Sequence, residues 1–165
     1  MNSQLITLIS NIAIALSFIV GLVFGIVQVR VSARDRRERL TLETLRYFQT
    51  REFAGHLLFV SANRAPETWE EFQKMPDEER TTFIQFGQEM ESLGLLVAER
   101  FVNIDLVDKT LGSFVTTAWD KYKVLFTDIR EKQPDPFLGE YFQWLAERIE
   151  ERMIKCPRTP FHEKR

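Results

Sequence analysis

The sequence predicts an all-α protein: an N-terminal transmembrane helix followed by a cytoplasmic antiparallel bundle of about four helices. Three observations carry this reading. Residues 1–29 hold no charged side chain, so all 22 Lys and Arg and all 24 Asp and Glu fall in residues 30–165. Beyond residue 40, apolar residues recur at three- and four-residue steps, the helical period, and no run alternates with the two-residue period of a strand. Gly and Pro are scarce, at 7 and 6 of 165 residues, which argues against collagen-like, low-complexity or loop-rich all-β designs.

The first element is expected over Leu5–Val29, after a short external N-terminus of residues 1–4. Its 25 residues are mostly Leu, Ile, Val, Phe and Ala. As a helix they extend about 37 Å, against a hydrocarbon core of about 30 Å. A cleaved signal peptide and a buried core helix are the other readings of such a run. A cleaved signal peptide wants a basic residue before a short apolar run, and here no Lys or Arg precedes a long one. A buried core helix rarely runs this long without charge. The flank sets the orientation. Arg30, Arg34, Arg36, Arg37 and Arg39 lie in residues 30–39, opposed only by Asp35 and Glu38. The positive-inside rule then places the N-terminus outside and the rest of the chain in the cytoplasm, at the inner membrane, with the arginines meeting anionic headgroups. Ala13, Ser17, Gly21 and Gly25 form a stripe of small residues at four-residue spacing. Such a stripe lets two helices approach closely in lipid. Its plainer reading is that small residues are common in membrane helices.

The helical domain is expected over residues 40–156, ahead of a flexible tail of residues 157–165. A first helix should run from near Val31 to about Ala62 through Leu42, Leu45, Phe48, Phe53, Leu57 and Val60. Asn63 to Pro76 should be irregular, with a short helical turn around Trp69. The next helix should start at Asp77 as N-cap, with Phe83, Phe86, Met90, Leu93, Val97 and Phe101 on one face. Asp105 is the next expected N-cap. It opens a long helix apolar around much of its circumference, and so central in the bundle. Asp135-Pro136 should start the last helix, which should end near Cys156-Pro157. Twelve of the 14 Phe lie in residues 40–165. At this spacing they read as core, rather than as an apolar ligand box.

The chemistry is sparse. No Gly-x-Ser-x-Gly, Walker, Gly-x-Gly-x-x-Gly or His-Glu-x-x-His pattern occurs, so catalytic, cofactor and metal residues are all expected to be none. One cysteine excludes an internal disulfide. His56 has no evident nucleophile beside it, and His162 lies in the tail. Net charge is −5 beyond residue 39, the wrong sign for nucleic acid. Glu89 and Glu91 face different directions on their helix. Glu91 shares an edge with Gly87, Gly94 and Ala98, where a second helix should approach, so it is expected to be paired with Arg130, Arg64 or Arg100, or else to line a pocket or face solvent. Trp69 either plugs the bundle end or forms part of a partner surface. Trp119 aligns with the core.

These features carry a resemblance: the N-terminal span with its basic flank, Trp69, Phe86-Gly87-Gln88-Glu89-Met90-Glu91-Ser92-Leu93-Gly94-Leu95-Leu96-Val97, Asp105, Trp119, Arg130 and Phe142-Gln143-Trp144-Leu145. Over residues 5–150 the chain resembles a bacterial family of single-pass, membrane-anchored helical proteins classed as a domain of unknown function. The resemblance implies a helical fold and a bacterial origin, and brings no catalytic residues. The function expected from the whole sequence is a membrane-tethered, non-enzymatic scaffold or adaptor, with the bilayer and a protein partner or a second copy as its contacts. The alternatives are a helical ligand sensor or enzyme with a pocket near Glu91 and Arg130, or a small membrane effector acting through oligomerised spans.

Overall fold

The structure is a computed structural model that describes residues 2–133 and 135–163. Met1 of the expected external N-terminus and Lys164 and Arg165 of the expected tail lie outside the described residues. Among the described residues there is no strand. Six α-helices follow one another: α1 (Asn2–Tyr47), α2 (Arg51–Ala62), α3 (Trp69–Lys74), α4 (Asp77–Ala98), α5 (Ile104–Lys132) and α6 (Glu140–Lys155), with a 3-10 turn at Phe161–Glu163. The chain divides into two units, residues 1–39 and residues 40–165.

In the first unit, every residue from Ser3 to Arg39 is exposed. Phe18 and Phe24 show 72% and 69% of their surface. This helix is long and apolar enough to cross a membrane. Its apolar side chains are spread around the helix rather than gathered on one face as in an amphipathic helix.

The second unit is a helical bundle around an aromatic core. Phe83, Phe86, Met90 and Leu93 of α4 meet Val107, Val115, Tyr122 and Leu125 of α5 and Phe142, Leu145 and Ile149 of α6, all almost fully buried. α4 packs on α6 and on α2, and α5 packs on α6 and on α3.

Several expected boundaries move. The helix expected from Val31 to Ala62 breaks after Tyr47, and α2 restarts with Thr50 as N-cap, its Oγ1 accepting from the Phe53 amide at 3.2 Å. The break has a packing reason. Five residues of continuous helix would set Phe48 and Phe53 about 140° apart. With the break, both enter the core edge to face, with ring centroids 4.8 Å apart. Asp77 is the first residue of α4 rather than its cap. The cap is Pro76, which has no side-chain bond to offer, and Asp77 instead pairs with Arg80 at 2.6 Å. α4 ends through Arg100, whose left-handed φ of 61° turns the chain so that the Phe101 and Val102 amides donate to the Leu96 carbonyl. Val102 takes the core position and Phe101, expected on the stripe, is exposed. Phe114 and Phe137 are exposed too, so these three leave the expected set of core phenylalanines.

Asp105 does not cap α5. Asn103 does, its Oδ1 accepting from the Asp105 amide at 2.8 Å. Asp135-Pro136 does not start the last helix either. Asp135 Oδ1 takes the Phe137 amide in a local turn, and α6 begins after Gly139, whose φ of 69° is left-handed. Only glycine serves at Gly139, because a Cβ there would also stand 2.8 Å from the Phe126 ring. The short helix at Trp69 and the end of α6 at Lys155 fall where the sequence puts them.

Candidate functional site

Beyond its acidic first turn, α4 carries two carboxylates, Glu89 and Glu91, and the structure sends them to opposite neighbours. Glu91 faces the start of α6. Its Oε1 accepts from the Tyr141 amide at 3.1 Å and its Oε2 from the Phe142 amide at 2.8 Å. The first-turn amides of a helix lack intrahelical acceptors, and Gly139 has no side chain to cap them. Glu91 is thus an N-cap supplied by another helix, placed where the helix dipole favours negative charge. The approach is close because of Gly94, one turn along α4. A Cβ at Gly94 would overlap the Tyr141 carbonyl.

The expected ion pair between Glu91 and Arg130 does not form among the described residues. Arg130 donates from Nε and Nη2 to the Leu138 carbonyl at 2.8 and 2.6 Å, and from Nη1 to Gln143 Oε1 at 2.7 Å. Arg64 pairs with Glu67 instead. The reason is that the turn before α6 offers both free amides and a free carbonyl. The anion takes the amides and the guanidinium takes the carbonyl. Glu91 and Arg130 therefore clasp the same segment, 138–143, without touching each other.

Beside Glu91 lies a cavity of about 350 Å³, walled by Trp69, Phe72, Phe83, Tyr122 and Phe126 and reaching Gly87, Gln133, Asp135 and Leu138. Trp69 is half-buried here, stacked on Phe72, and its amide donates to Asp128 Oδ2 at 2.7 Å. The small residues flanking Glu91 thus serve two ends. Gly94 admits α6, whereas Gly87 borders open volume.

Glu89 faces the other way. Its Oε1 accepts from the Tyr47 hydroxyl at 2.6 Å and lies 2.9 Å from His56 Nδ1. The Glu89 and His56 side chains are 10% and 13% exposed, and Glu89 Oε2 is buried without a hydrogen-bond partner. A cavity of about 440 Å³ adjoins this cluster, with Glu52, Gln85, Gln88 and Ser92 also on its wall. Sequence reasoning passed over the cluster. The signal was present: His56 sits three residues from Phe53 and four from Val60, and Glu89 three from Phe86 and four from Leu93, each on the buried face of its own helix. Asp108 was missed in the same way. It is 5% exposed, one residue past buried Val107, and faces Arg152 and Arg158.

The hydrogen bond to the Glu89 carboxylate, together with burial, pushes the Tyr47 hydroxyl up to about 12. Burial raises Tyr122 as well. A tyrosine raised in the folded state holds its proton after the unfolded chain has lost it. Its contribution is therefore complete below about pH 10 and lost as pH rises through about 12. The Tyr47→Phe protein should lose less stability than the parent between about pH 10 and pH 12, as read from urea midpoints across that window. Parallel curves would show that the hydroxyl does not bond to Glu89 in solution.

Among the described residues, no three His, Cys, Asp or Glu side chains gather to hold a metal ion. No curated protein and no solved structure matches the chain. A family profile matches residues 15–149, most of both units, and by that match the chain belongs to the family named as the domain of unknown function DUF4760.

Proposed function

We propose that this protein is a membrane-tethered, non-enzymatic protein-interaction module, with its N-terminus outside and residues 40–165 on the cytoplasmic face of an inner membrane. One observation carries the reading: an uncharged helical stretch, exposed on every side from Ser3 to Val29, is followed directly by Arg30, Arg34, Arg36, Arg37 and Arg39. The charge step supports the orientation. Ala13, Ser17, Gly21 and Gly25 support a contact between two copies within the bilayer, since a Cβ at either glycine meets nothing within 4 Å in the single chain. A tether raises the effective concentration of whatever the helical unit binds.

The single cysteine, Cys156, is exposed and provides the test. In sealed right-side-out vesicles a membrane-impermeant maleimide should leave Cys156 unlabelled until the vesicles are opened. A Ser3→Cys substitution should add a site that labels at once. Immediate labelling of Cys156 overturns the orientation, and recovery of the chain in the soluble fraction overturns the tether. A second reading, a helical unit that responds to a small ligand, is favoured by the aromatic cavity beside Glu91.

A further inference from the structure

We propose that the cavity beside Glu91 binds a small organic cation with an apolar body, of the quaternary ammonium type. The proposal rests on the second reading above and gives its ligand a chemistry.

Three features point to that class. The first is the wall. Trp69, Phe72, Phe83, Tyr122 and Phe126 surround about 350 Å³. They fall into two contacting groups, Trp69 stacked on Phe72 at 5.6 Å, and Tyr122 lying 5.3 Å from Phe83 and 5.6 Å from Phe126. Aromatic faces carry partial negative charge and attract cations that are easily stripped of water, with tryptophan the strongest. The second is the charge. Glu91 and Asp135 are on the lining and, among the described residues, no Lys or Arg is. Arg130 reaches the edge of the lining at Leu138, but its guanidinium is engaged there by the Leu138 carbonyl and by Gln143. Both Glu91 oxygens accept from the Tyr141 and Phe142 amides and Asp135 Oδ1 from the Phe137 amide, so what the two carboxylates offer the cavity is negative charge, which opposes an anionic ligand. A neutral one would leave their field unused.

The third is Gly87. Glycine inside a helix is less favourable than alanine, through the backbone entropy it gives up. No neighbour demands it at this position: a Cβ would stand 3.7 Å from Phe126 Cζ and 3.8 Å from Tyr122 Cε1, an ordinary contact. What glycine preserves there is volume. A larger side chain would project into the cavity between the rings.

The test uses the full chain in nanodiscs of zwitterionic lipid, titrated calorimetrically with benzyltrimethylammonium. Neopentylbenzene, its neutral isostere, and phenylacetate, an anion, serve as comparisons. Saturable binding of the cation at one per chain is expected, at least tenfold tighter than either comparison. Gly87→Leu should weaken it at least tenfold, and Gly87→Ala should fold normally. Trp69→Leu keeps the wall apolar but removes the ring. It should also weaken the cation, and gives an answer if Gly87→Leu does not fold. Equal binding of neopentylbenzene overturns the cation while leaving an apolar ligand site. Cation binding untouched by both substitutions overturns the location. No saturable binding by any of the three overturns the proposal and the ligand-responsive reading together.

Discussion

Gly94→Ala is expected to destabilise the helical unit by about 3 kcal/mol, although it adds a single methyl group and a better helix former. The added carbon would overlap the Tyr141 carbonyl, and that carbonyl is backbone in the first turn of α6. A flexible side chain could swing aside, but this one obstacle moves only with its helix. Moving α6 would draw the Tyr141 and Phe142 amides off Glu91, and would disturb Phe142 and Leu145, which show no exposed surface. Gly87→Ala is the matched control, on the same helix and nearly the same face. Its carbon meets only ordinary contacts, so it should be neutral or stabilising by up to about 1 kcal/mol. Urea unfolding of the two variants, followed by tryptophan fluorescence, measures both. A Gly94→Ala midpoint equal to that of the parent would mean that α4 and α6 do not approach as closely as described.

Glu91→Ala should cost about 2–3 kcal/mol, among the largest effects of any single polar side chain here. The half-buried carboxylate satisfies two first-turn amides of α6, which its removal would leave without a protein acceptor. Glu91→Gln retains one accepting oxygen but turns an amide nitrogen toward the second donor, so an intermediate loss is expected. Glu150→Ala, an exposed carboxylate on α6, should change stability by less than about 0.5 kcal/mol. If Glu91→Ala proves as mild as Glu150→Ala, the helix cap is not supplied across the bundle. Gly94 and Glu91 act on the same segment, so their combined effect should fall short of the sum of the two.

Much of the fold could be read from the sequence, and the readable parts share a property. The uncharged stretch, the arginine flank and the helical stripes of α4, α5 and α6 are patterns within one element. So is the divergence of Glu89 from Glu91, which follows from 100° per residue. Apart from the break after Tyr47 and the exposed Phe114, the differences fall at element ends. Asp105 and Asp135-Pro136 are sound local starting signals, but Asn103, an equally good cap two residues earlier, takes the first position, and α6 begins only after the left-handed Gly139. Phe101 kept the helical spacing and lost its core place to Val102 once Arg100 turned the backbone left-handed.

The candidate sites follow the same division. The sequence singles out Arg130 and Glu91 as charges that need a partner, and the structure gives them backbone groups of segment 138–142 and Gln143 rather than each other, because a charge on a helix edge is satisfied by whatever polar groups the adjoining turn leaves free. His56 and Glu89 lie 33 residues apart, and nothing in either neighbourhood announces the other. What the sequence by itself determined is the order and type of the helices and where charge stops and starts, since period and charge are properties of consecutive residues. Only the tertiary structure decided that Glu91 caps α6, that Glu89 gathers Tyr47 and His56, and that Gly94 closes a contact while Gly87 leaves a cavity. Those outcomes depend on distances between elements, which backbone amides, carbonyls and ring edges set only once the helices have packed.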